Sequence, residues 1–200
     1  MTIIPNKTSL EQIKKFFDKN EWEPLPFQIE SWEAYLNGEN GIIQVPTGCG
    51  KTYAALMGPL SKLNDCRKKS GLNILLITPL KALSRDLKNA INSAAKYFDE
   101  EITVGIRNGD TSPYEKKKQI LNPPNILITT PESLSLLLSN KESKNIFKNL
   151  FSIIIDEWHE LMGSKRGNQC ELCLSWLRGN KKDLQIWAMS ATIGNIEEAG

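Results

Sequence analysis

The sequence predicts an α/β fold in which helices flank both faces of a mostly parallel sheet. Six short apolar runs recur along the chain, at residues 42–45, 73–78, 102–106, 125–129, 152–155 and 185–189. They are apolar throughout rather than alternating, which is typical of strands buried on both faces. Helical segments separate them, and such alternation favours a doubly wound sheet with right-handed crossovers.

The helical segments are recognised by their periodicity. One of them repeats apolar residues every three or four positions, at Leu80, Leu83, Leu87, Ala90, Ile91 and Ala94. Before the first strand, Thr8 and Glu11 fit a capping box. We expect it to open a helix whose inward face carries Leu10, Ile13 and Phe17.

The composition is that of an ordinary globular domain. The 200 residues are 40% hydrophobic and 24% charged, and the formal net charge is +2, so composition alone indicates no general attraction to nucleic acid. Residues 1–7 lack the apolar core of a signal peptide, and no apolar run approaches the length of a membrane span. We therefore expect a soluble, cytoplasmic protein.

Two of the four cysteines, Cys170 and Cys173, have the spacing of half a zinc site. The sequence offers no second ligand pair at a suitable spacing. With Leu174 and Leu177 they form one apolar stripe of a helix. We therefore expect core packing rather than metal binding.

A phosphate-binding loop is predicted between the first strand and the next helix. It comprises Pro46, Thr47, Gly48, Cys49, Gly50, Lys51 and Thr52. Glycines let backbone N–H groups face phosphate oxygens, and the helix N-terminus adds its positive dipole end. Lys51 would reach the β- and γ-phosphates of ATP, and the Thr52 hydroxyl would ligate Mg²⁺. The strict motif has Gly at the position of Val45. An ordinary strand-to-helix turn, the alternative interpretation, would not explain why Lys51 and Thr52 follow Gly-x-Gly.

Two carboxylates follow the isoleucine-rich strand Ser152–Ile155. Asp156 is placed to hold Mg²⁺ through water, and Glu157 to orient and deprotonate an attacking water. An Asp-Glu pair alone is a common helix start. Together with the phosphate loop, it predicts a nucleoside triphosphatase. His159, the single histidine of the chain, follows this pair directly.

Residues 156–159, Asp-Glu-Trp-His, resemble the Asp-Glu-x-His motif of superfamily 2 helicases, and the Ser190-Ala191-Thr192 triplet resembles their third motif. The segment Gly163-Ser164-Lys165-Arg166-Gly167 narrows the resemblance to the Lhr (large helicase-related) group, most closely the ligase-associated DNA damage response DEXH-box form. Segments 22–28, 78–83, 109–111 and 129–134 match that group in order. The resemblance covers the chain from Trp22 onward and implies a RecA-like P-loop fold.

The resemblance also implies roles for individual residues. Phe27 and Gln28 would recognise adenine. Contacts to nucleic acid are implied for Thr78, Pro79, Lys81, Thr130, Pro131, Glu132, Lys165 and Arg166. Thr130 can cap a helix whose first residue is Pro131, directing N–H groups toward a phosphate. Ser190, Ala191 and Thr192, with His159, would couple the ATP site to the nucleic-acid track.

The implied domain organisation is a helical lead-in at residues 1–26 and a first RecA-like domain at residues 27–200. The second RecA-like domain, which supplies the arginine fingers, lies outside this sequence. Because an arginine finger accelerates turnover by orders of magnitude, we expect residues 1–200 alone to bind ATP weakly and to hydrolyse it poorly.

The predicted function is that of an ATP-dependent DNA helicase or translocase, with single-stranded DNA as its track, 3′→5′ polarity and a role in DNA repair inferred from the family. DNA ligase and nuclease partners are part of that inference. An RNA helicase is the first alternative, since backbone contacts do not distinguish the two polymers. A nucleotide-gated clamp is the second, although the set of Lys51, Thr52, Asp156 and Glu157 favours hydrolysis. A small-molecule kinase is disfavoured by the Asp-Glu-x-His motif.

Overall fold

The computed structural model describes residues 7–65, 70–79 and 84–191. Its helices are α1 (Lys7–Lys19), α2 (Pro26–Leu36), α3 (Lys51–Asp65), α4 (Ser84–Phe98), α5 (Pro113–Leu121), α6 (Pro131–Leu138), α7 (Ser143–Ile146), α8 (Trp158–Leu161) and α9 (Lys165–Asn180). Its strands are β1 (Gly41–Gln44), β2 (Ile74–Ile77), β3 (Val104–Arg107), β4 (Ile126–Thr129), β5 (Ser152–Ile155) and β6 (Gln185–Ser190).

The six strands form one sheet in the order β1-β6-β5-β2-β4-β3, and every pair of neighbours is parallel. The register aligns the last residues of neighbouring strands. Ile77 lies opposite Ile155 on one side and Thr129 on the other, and Arg107 lies opposite Thr129. The residues that follow the strands are therefore gathered along one edge of the sheet, where ligands bind in open α/β folds.

All six predicted strands are confirmed, each with bounds within two residues of the prediction. The best match is β5, which occupies Ser152–Ile155 as predicted. The shortness of these runs and their enrichment in β-branched residues favour strands over buried helices. The predicted doubly wound architecture is confirmed as well.

Burial on both faces holds for the inner strands but is wrong for β1. Every residue of β2, β4 and β5 is buried. In contrast, β1 pairs with β6 alone, and the side chain of Ile42 is 66% exposed. At the other margin, three of the four residues of β3 are only partly buried. An edge position leaves a strand with one neighbour, and composition does not reveal which strands take the edges.

Two hydrophobic clusters cover the two faces of the sheet. Helices α1 to α4 pack on one face, where Leu76 of β2 and Ile154 of β5 point toward them. Helices α6 and α9 pack on the other face, against Ile77 and Ile155. Because side chains alternate along a strand, each isoleucine-rich strand contributes to both clusters.

The predicted capping box at the first helix is wrong. Helix α1 begins at Lys7, so Thr8 lies inside the helix rather than at its N-cap. The neighbouring Ser9 is 2% exposed, and its hydroxyl donates to Asp65 Oδ2 at 2.9 Å, across to the end of α3. The inward face is confirmed for Ile13 and Phe17, both buried. The polar residue next to the predicted cap, Ser9, thus makes a tertiary contact.

The two cysteines of α9 are core residues, as expected. Cys170 is fully buried and Cys173 is 5% exposed, and both pack against the second cluster. Burial raises the pKa of the Cys170 thiol to about 12. Within the described ranges no helix combines the length and apolarity needed to cross a membrane.

Two candidate ligand clefts at the carboxyl edge of the sheet

The loop between β1 and α3 has the backbone conformation of a phosphate cradle. Gly48 and Gly50 adopt positive φ angles of 83° and 80°, which L side chains rarely occupy. Helix α3 begins at Lys51 directly after them. The Lys51 side chain folds back over the loop, where Nζ donates to the Val45 carbonyl at 3.0 Å. Val45 therefore takes part through its backbone, although it departs from the glycine of the strict pattern.

The side chain of Gln28 is hydrogen-bonded to this loop. Its Nε2 donates to the Gly50 carbonyl at 3.1 Å, and its Oε1 accepts the Leu25 N–H at 2.9 Å. The side chain is only 4% exposed. A Cβ added at Gly50 would lie 2.7 Å from Gln28 Nε2, so the Gln28 side chain would have to move from its place on the loop. The adenine-binding role of Gln28 and Phe27 stays a prediction, and Phe27 packs partly buried against the core.

The two carboxylates lie where β5 ends. Asp156 Oδ1 accepts the Glu157 N–H at 3.0 Å. Burial, together with the charge of Glu157, raises the pKa of Asp156 to about 6, even though Lys51 acts in the opposite direction. Glu157 adopts a left-handed conformation with φ of 45°, which is uncommon for a residue with a side chain. Strain of this kind is often found at functional sites.

These elements enclose the first cleft, with a volume of about 300 Å³. Its walls are Thr47, Gly48, Gly50, Lys51, Thr52, Leu87, Ala90, Asp156 and Glu157. Pro46 and Cys49 belong to the loop but not to the wall. The sequence did not single out Leu87 and Ala90 as site residues, since their apolar spacing marked them only as the buried face of α4.

His159 joins the carboxylate motif to the end of β6. Its Nδ1 lies 3.2 Å from Ser190 Oγ and 3.3 Å from the Ala191 nitrogen. The same atom lies 3.4 Å from Glu157 Oε2. Because a backbone N–H can only donate, Nδ1 accepts and the ring hydrogen is placed on Nε2. Glu157 Oε2 is buried and accepts no hydrogen bond from the described residues. Thr192, the third member of the predicted coupling set, lies outside the described residues.

The second cleft is centred on the N-terminus of α6. Thr130 caps that helix as predicted, with its hydroxyl oxygen accepting the Ser133 N–H at 3.4 Å, and Pro131 is the first helical residue. Thr130 and Thr78 are both buried, at 2% and 0% exposure. The Thr78 N–H donates to the Thr129 carbonyl at 2.9 Å, which continues the strand pairing to the edge of the cleft.

Arg166 connects three of the predicted nucleic-acid motifs. Its Nε donates to Glu132 Oε1, and its Nη2 donates to the Pro79 carbonyl at 2.8 Å and to Glu132 Oε2 at 3.3 Å. Burial acts to raise the pKa of Glu132, but the hydrogen bond from Arg166 helps to leave it below its ordinary value. Lys165 is exposed at the start of α9, outside the cleft wall, and Lys81 lies outside the described residues.

The second cleft has a volume of about 640 Å³ and is lined by Pro79, Arg107, Gly109, Lys116, Thr130, Glu132, Ser133, Leu136 and Arg166. Arg107 and Lys116 are the basic members that sequence reasoning missed. Arg107 directly ends β3, so the rule that placed the other motifs after strands could have found it. Lys116 belongs to the run Lys116-Lys117-Lys118, and a run of like charges is most often solvated surface.

Comparison with known proteins gives consistent matches over most of the chain. Residues 25–199 match the DEAD/DEAH box helicase family. The ATP-dependent helicase Lhr-Core of Sulfolobus acidocaldarius is 39% identical over 201 residues, covering 94% of this chain and 23% of that protein. The Lhr helicase/uracil glycosylase of Escherichia coli is 35% identical over 173 residues, covering 78% of this chain and 11% of that protein. The chain thus spans less than a quarter of the length of either relative.

Solved structures agree with these matches. The helicase Lhr of Mycobacterium smegmatis, bound to single-stranded DNA and AMP-PNP, superposes with a TM-score of 0.80 at 34% identity, covering 91% of this chain and 24% of that one. The DUF1998 helicase MrfA, bound to DNA and AMPPNP, superposes with a TM-score of 0.80 at 28% identity, covering 96% and 27%. The resemblance to the Lhr group and the RecA-like fold expected from the sequence motifs are confirmed.

Proposed function

Because the chain belongs to the DEAD/DEAH box helicase family, we propose that it is the ATP-binding domain of an enzyme that moves 3′→5′ along single-stranded DNA in DNA repair. The observation that carries the proposal is the arrangement of the two clefts. Both lie at the carboxyl edge of one sheet, one with a lysine and two carboxylates, the other with three basic side chains. The first cleft suits the phosphates of a nucleotide, and the second suits the phosphates of a nucleic-acid backbone.

The first cleft supplies groups suited to ATP hydrolysis. Lys51 is bound to the Val45 carbonyl here, and its release would let the ammonium reach the β- and γ-phosphates. Glu157 lines the cleft and its side chain is 17% exposed, so its carboxylate can accept a proton from an attacking water. The carboxylate thus fits the role of general base.

The same cleft fits Mg²⁺. The Thr52 hydroxyl and the Asp156 carboxylate, both hard oxygen ligands, line it together. Burial, and after it the charge of the adjacent Glu157, raise the pKa of Asp156, and a divalent cation would favour the charged carboxylate. When bound, Mg²⁺ would neutralise charge on the phosphates, while Lys51 and Glu157 would act on the γ-phosphate and on water.

His159 supports communication between the sites. It contacts Glu157 on one side and the end of β6 on the other, so a change at the carboxylate can be transmitted to Ser190 and Ala191. A two-domain arrangement, with residues 27–200 as the first RecA-like domain and a second one closing on ATP, is part of the proposal. A cytoplasmic location and DNA ligase or nuclease partners belong to it as well.

The choice of DNA as the track rests on the relatives, two of which were solved with DNA. The test is steady-state ATP hydrolysis by the protein extended through its second domain, without nucleic acid, with single-stranded DNA and with single-stranded RNA. Stimulation by DNA, abolished by Glu157→Gln, is the expected result. Stimulation by RNA alone would identify an RNA helicase, and no stimulation by either polymer would identify a clamp.

A further inference from the structure

Arg107 is a buried cation that no described carboxylate neutralises. The residue is 8% exposed and is the last residue of β3. Its Nη1 donates to the Lys116 carbonyl at 2.9 Å and to Gln119 Oε1 at 3.4 Å, and both acceptors are uncharged. Burial lowers the pKa of Arg107. The side chain still carries its positive charge, because a guanidinium remains protonated in proteins.

Arg166, which lines the same cleft, has a carboxylate partner, as charged side chains removed from water usually do. It is paired with Glu132 and lies 40% exposed by its side chain. Buried charges in proteins are normally paired, since removal from water is costly. Arg107 is the more buried of the two and has only carbonyl partners, so an anionic partner for it is expected from outside the described residues.

The surroundings of Arg107 favour an anion. The cleft wall carries three basic side chains, Arg107, Lys116 and Arg166, against one carboxylate, Glu132. Glu132 is already held by Arg166, whereas among the described residues Lys116 Nζ reaches only the Gly109 carbonyl, at 3.5 Å. The N-terminus of α6, capped by Thr130, opens on the same cleft and adds the positive end of its dipole. Anionic groups of phosphate size can enter a cleft of about 640 Å³.

We propose that Arg107 and Lys116 form a phosphate subsite that binds a phosphodiester of the nucleic-acid backbone. The subsite rests on the proposed function and extends the nucleic-acid track to the margin of the sheet at β3. Arg107 offers a guanidinium whose remaining N–H groups can donate to phosphate oxygens, and Lys116 adds a flexible point charge. Such contacts read the backbone rather than the bases.

The competing explanation is that Arg107 only ties β3 to α5. Salt dependence separates the two explanations, since each phosphate contact adds to the slope of log affinity against log salt concentration. The measurement is fluorescence anisotropy of a single-stranded DNA oligonucleotide bound to the full-length protein over a range of NaCl concentrations. The variants are Arg107→Gln, Arg107→Lys and Lys116→Gln. Lys117→Gln, on the exposed side of the same helix and outside the cleft wall, is the matched control.

We expect Arg107→Gln to weaken binding roughly 10- to 100-fold and to reduce the salt slope by about one. Arg107→Lys keeps the charge, so we expect an unchanged salt slope. Its affinity for DNA should still fall, because Lys lacks the planar guanidinium. Lys116→Gln reduces the slope, and Lys117→Gln changes affinity less than about twofold. Equal loss of affinity in Arg107→Gln and Arg107→Lys at an unchanged slope would overturn the proposal in favour of a structural link.

The proposal that the track is DNA and the proposal of a phosphate subsite can be tested separately. If the wild-type protein binds single-stranded RNA but not DNA, the same pattern of slopes is expected on RNA, because phosphate is common to both polymers. If it binds neither polymer, the subsite is wrong together with the track. Thermal unfolding of each variant shows whether any loss of binding reflects loss of the fold.

Discussion

His159 Nδ1 lies 3.2 Å from the hydroxyl oxygen of Ser190, and the imidazole thereby joins the turn after β5 to the end of β6. The Ala191 N–H, at 3.3 Å, points to the same nitrogen. Glu157 Oε2 lies 3.4 Å from the same nitrogen. We propose that a movement of Glu157 is transmitted through His159 to Ser190 and Ala191 at the end of β6.

Ser190→Ala tests that connection. The substitution removes the hydroxyl while the Ala191 N–H remains to donate to His159. We expect a loss of about 1 kcal/mol in the free energy of unfolding, typical of one hydrogen bond. In the extended protein we expect DNA to stimulate ATP hydrolysis less than in the wild type. Urea titration and steady-state ATPase assays measure the two effects, and an unchanged degree of stimulation would remove Ser190 from the coupling path.

The backbone strain at Glu157 can be measured separately from the effect of losing its carboxylate. Both Glu157→Ala and Glu157→Gly remove the carboxylate, but only glycine occupies its left-handed conformation freely, with φ of 45° in the wild type. We expect the glycine variant to be the more stable of the two by about 1 kcal/mol. At Glu160, inside α8, the order should reverse because glycine weakens helices. Urea unfolding of the four variants gives the comparison.

The pKa of Asp156 makes stability depend on pH. Because its folded-state pKa, about 6, exceeds the ordinary value of 3.8, the folded protein binds the proton more readily than the unfolded chain. This group therefore lowers stability as pH rises from about 4 to about 6, and the cost is fully present above that range. The shift corresponds to roughly 3 kcal/mol. We expect Asp156→Asn to be more stable than the wild type at pH 7.5, with the difference closing toward pH 4.

Unfolding by urea at several pH values measures that difference. Asp183→Asn, at an exposed carboxylate far along the chain, controls for the change in net charge. A pH-independent difference between Asp156→Asn and the wild type would contradict the assignment of the titration to Asp156.

Gly50 and Gly48 provide a matched pair in the phosphate loop. Alanine at either position meets a positive φ and should cost about 1 to 2 kcal/mol. At Gly50 the new Cβ also lies 2.7 Å from Gln28 Nε2, whereas at Gly48 nothing lies within 4 Å. We expect Gly50→Ala to be the more damaging substitution. Adding Gln28→Ala should recover part of the loss at Gly50 and none at Gly48, as judged by thermal unfolding.

The Arg166–Glu132 ion pair is expected to contribute little to stability. The two side chains are 40% and 46% exposed, so solvent screens the pair. A double-mutant cycle with Arg166→Gln and Glu132→Gln should give a coupling below about 1 kcal/mol. Because the pKa of Glu132 is lowered, this contribution is present at neutral pH and is lost as the pH falls through the folded-state pKa. A coupling that persists after Glu132 is protonated would contradict this prediction.

Local pattern was sufficient for the strands and for part of the first site. Three isoleucines before Asp156 and Glu157 located β5 and the carboxylates, and Gly-x-Gly before Lys51 located the cradle. Thr130 before Pro131 located the cap of α6. In each case the residues that matter are neighbours in sequence, so their chemistry and their backbone conformation are encoded together.

The contact of Ser9 with the end of α3 was not predicted, because its partner is distant in sequence. The sequence cannot show that Ser9 faces Asp65, which lies 56 residues away. Likewise Ile42 is as apolar as its neighbours, and only the strand order leaves it at the margin of the sheet.

By itself, the sequence determined the elements, the glycine-bearing loop before Lys51, the two adjacent carboxylates after β5 and the family, because each depends on short-range spacing. The tertiary structure alone decided which strands lie at the edges, which nitrogen of His159 meets Ser190, and that Arg107 and Arg166 line one cleft. Those relationships follow from the order β1-β6-β5-β2-β4-β3, which brings distant strand ends together. Packing of complete helices against both faces sets that order, and no short segment contains the information.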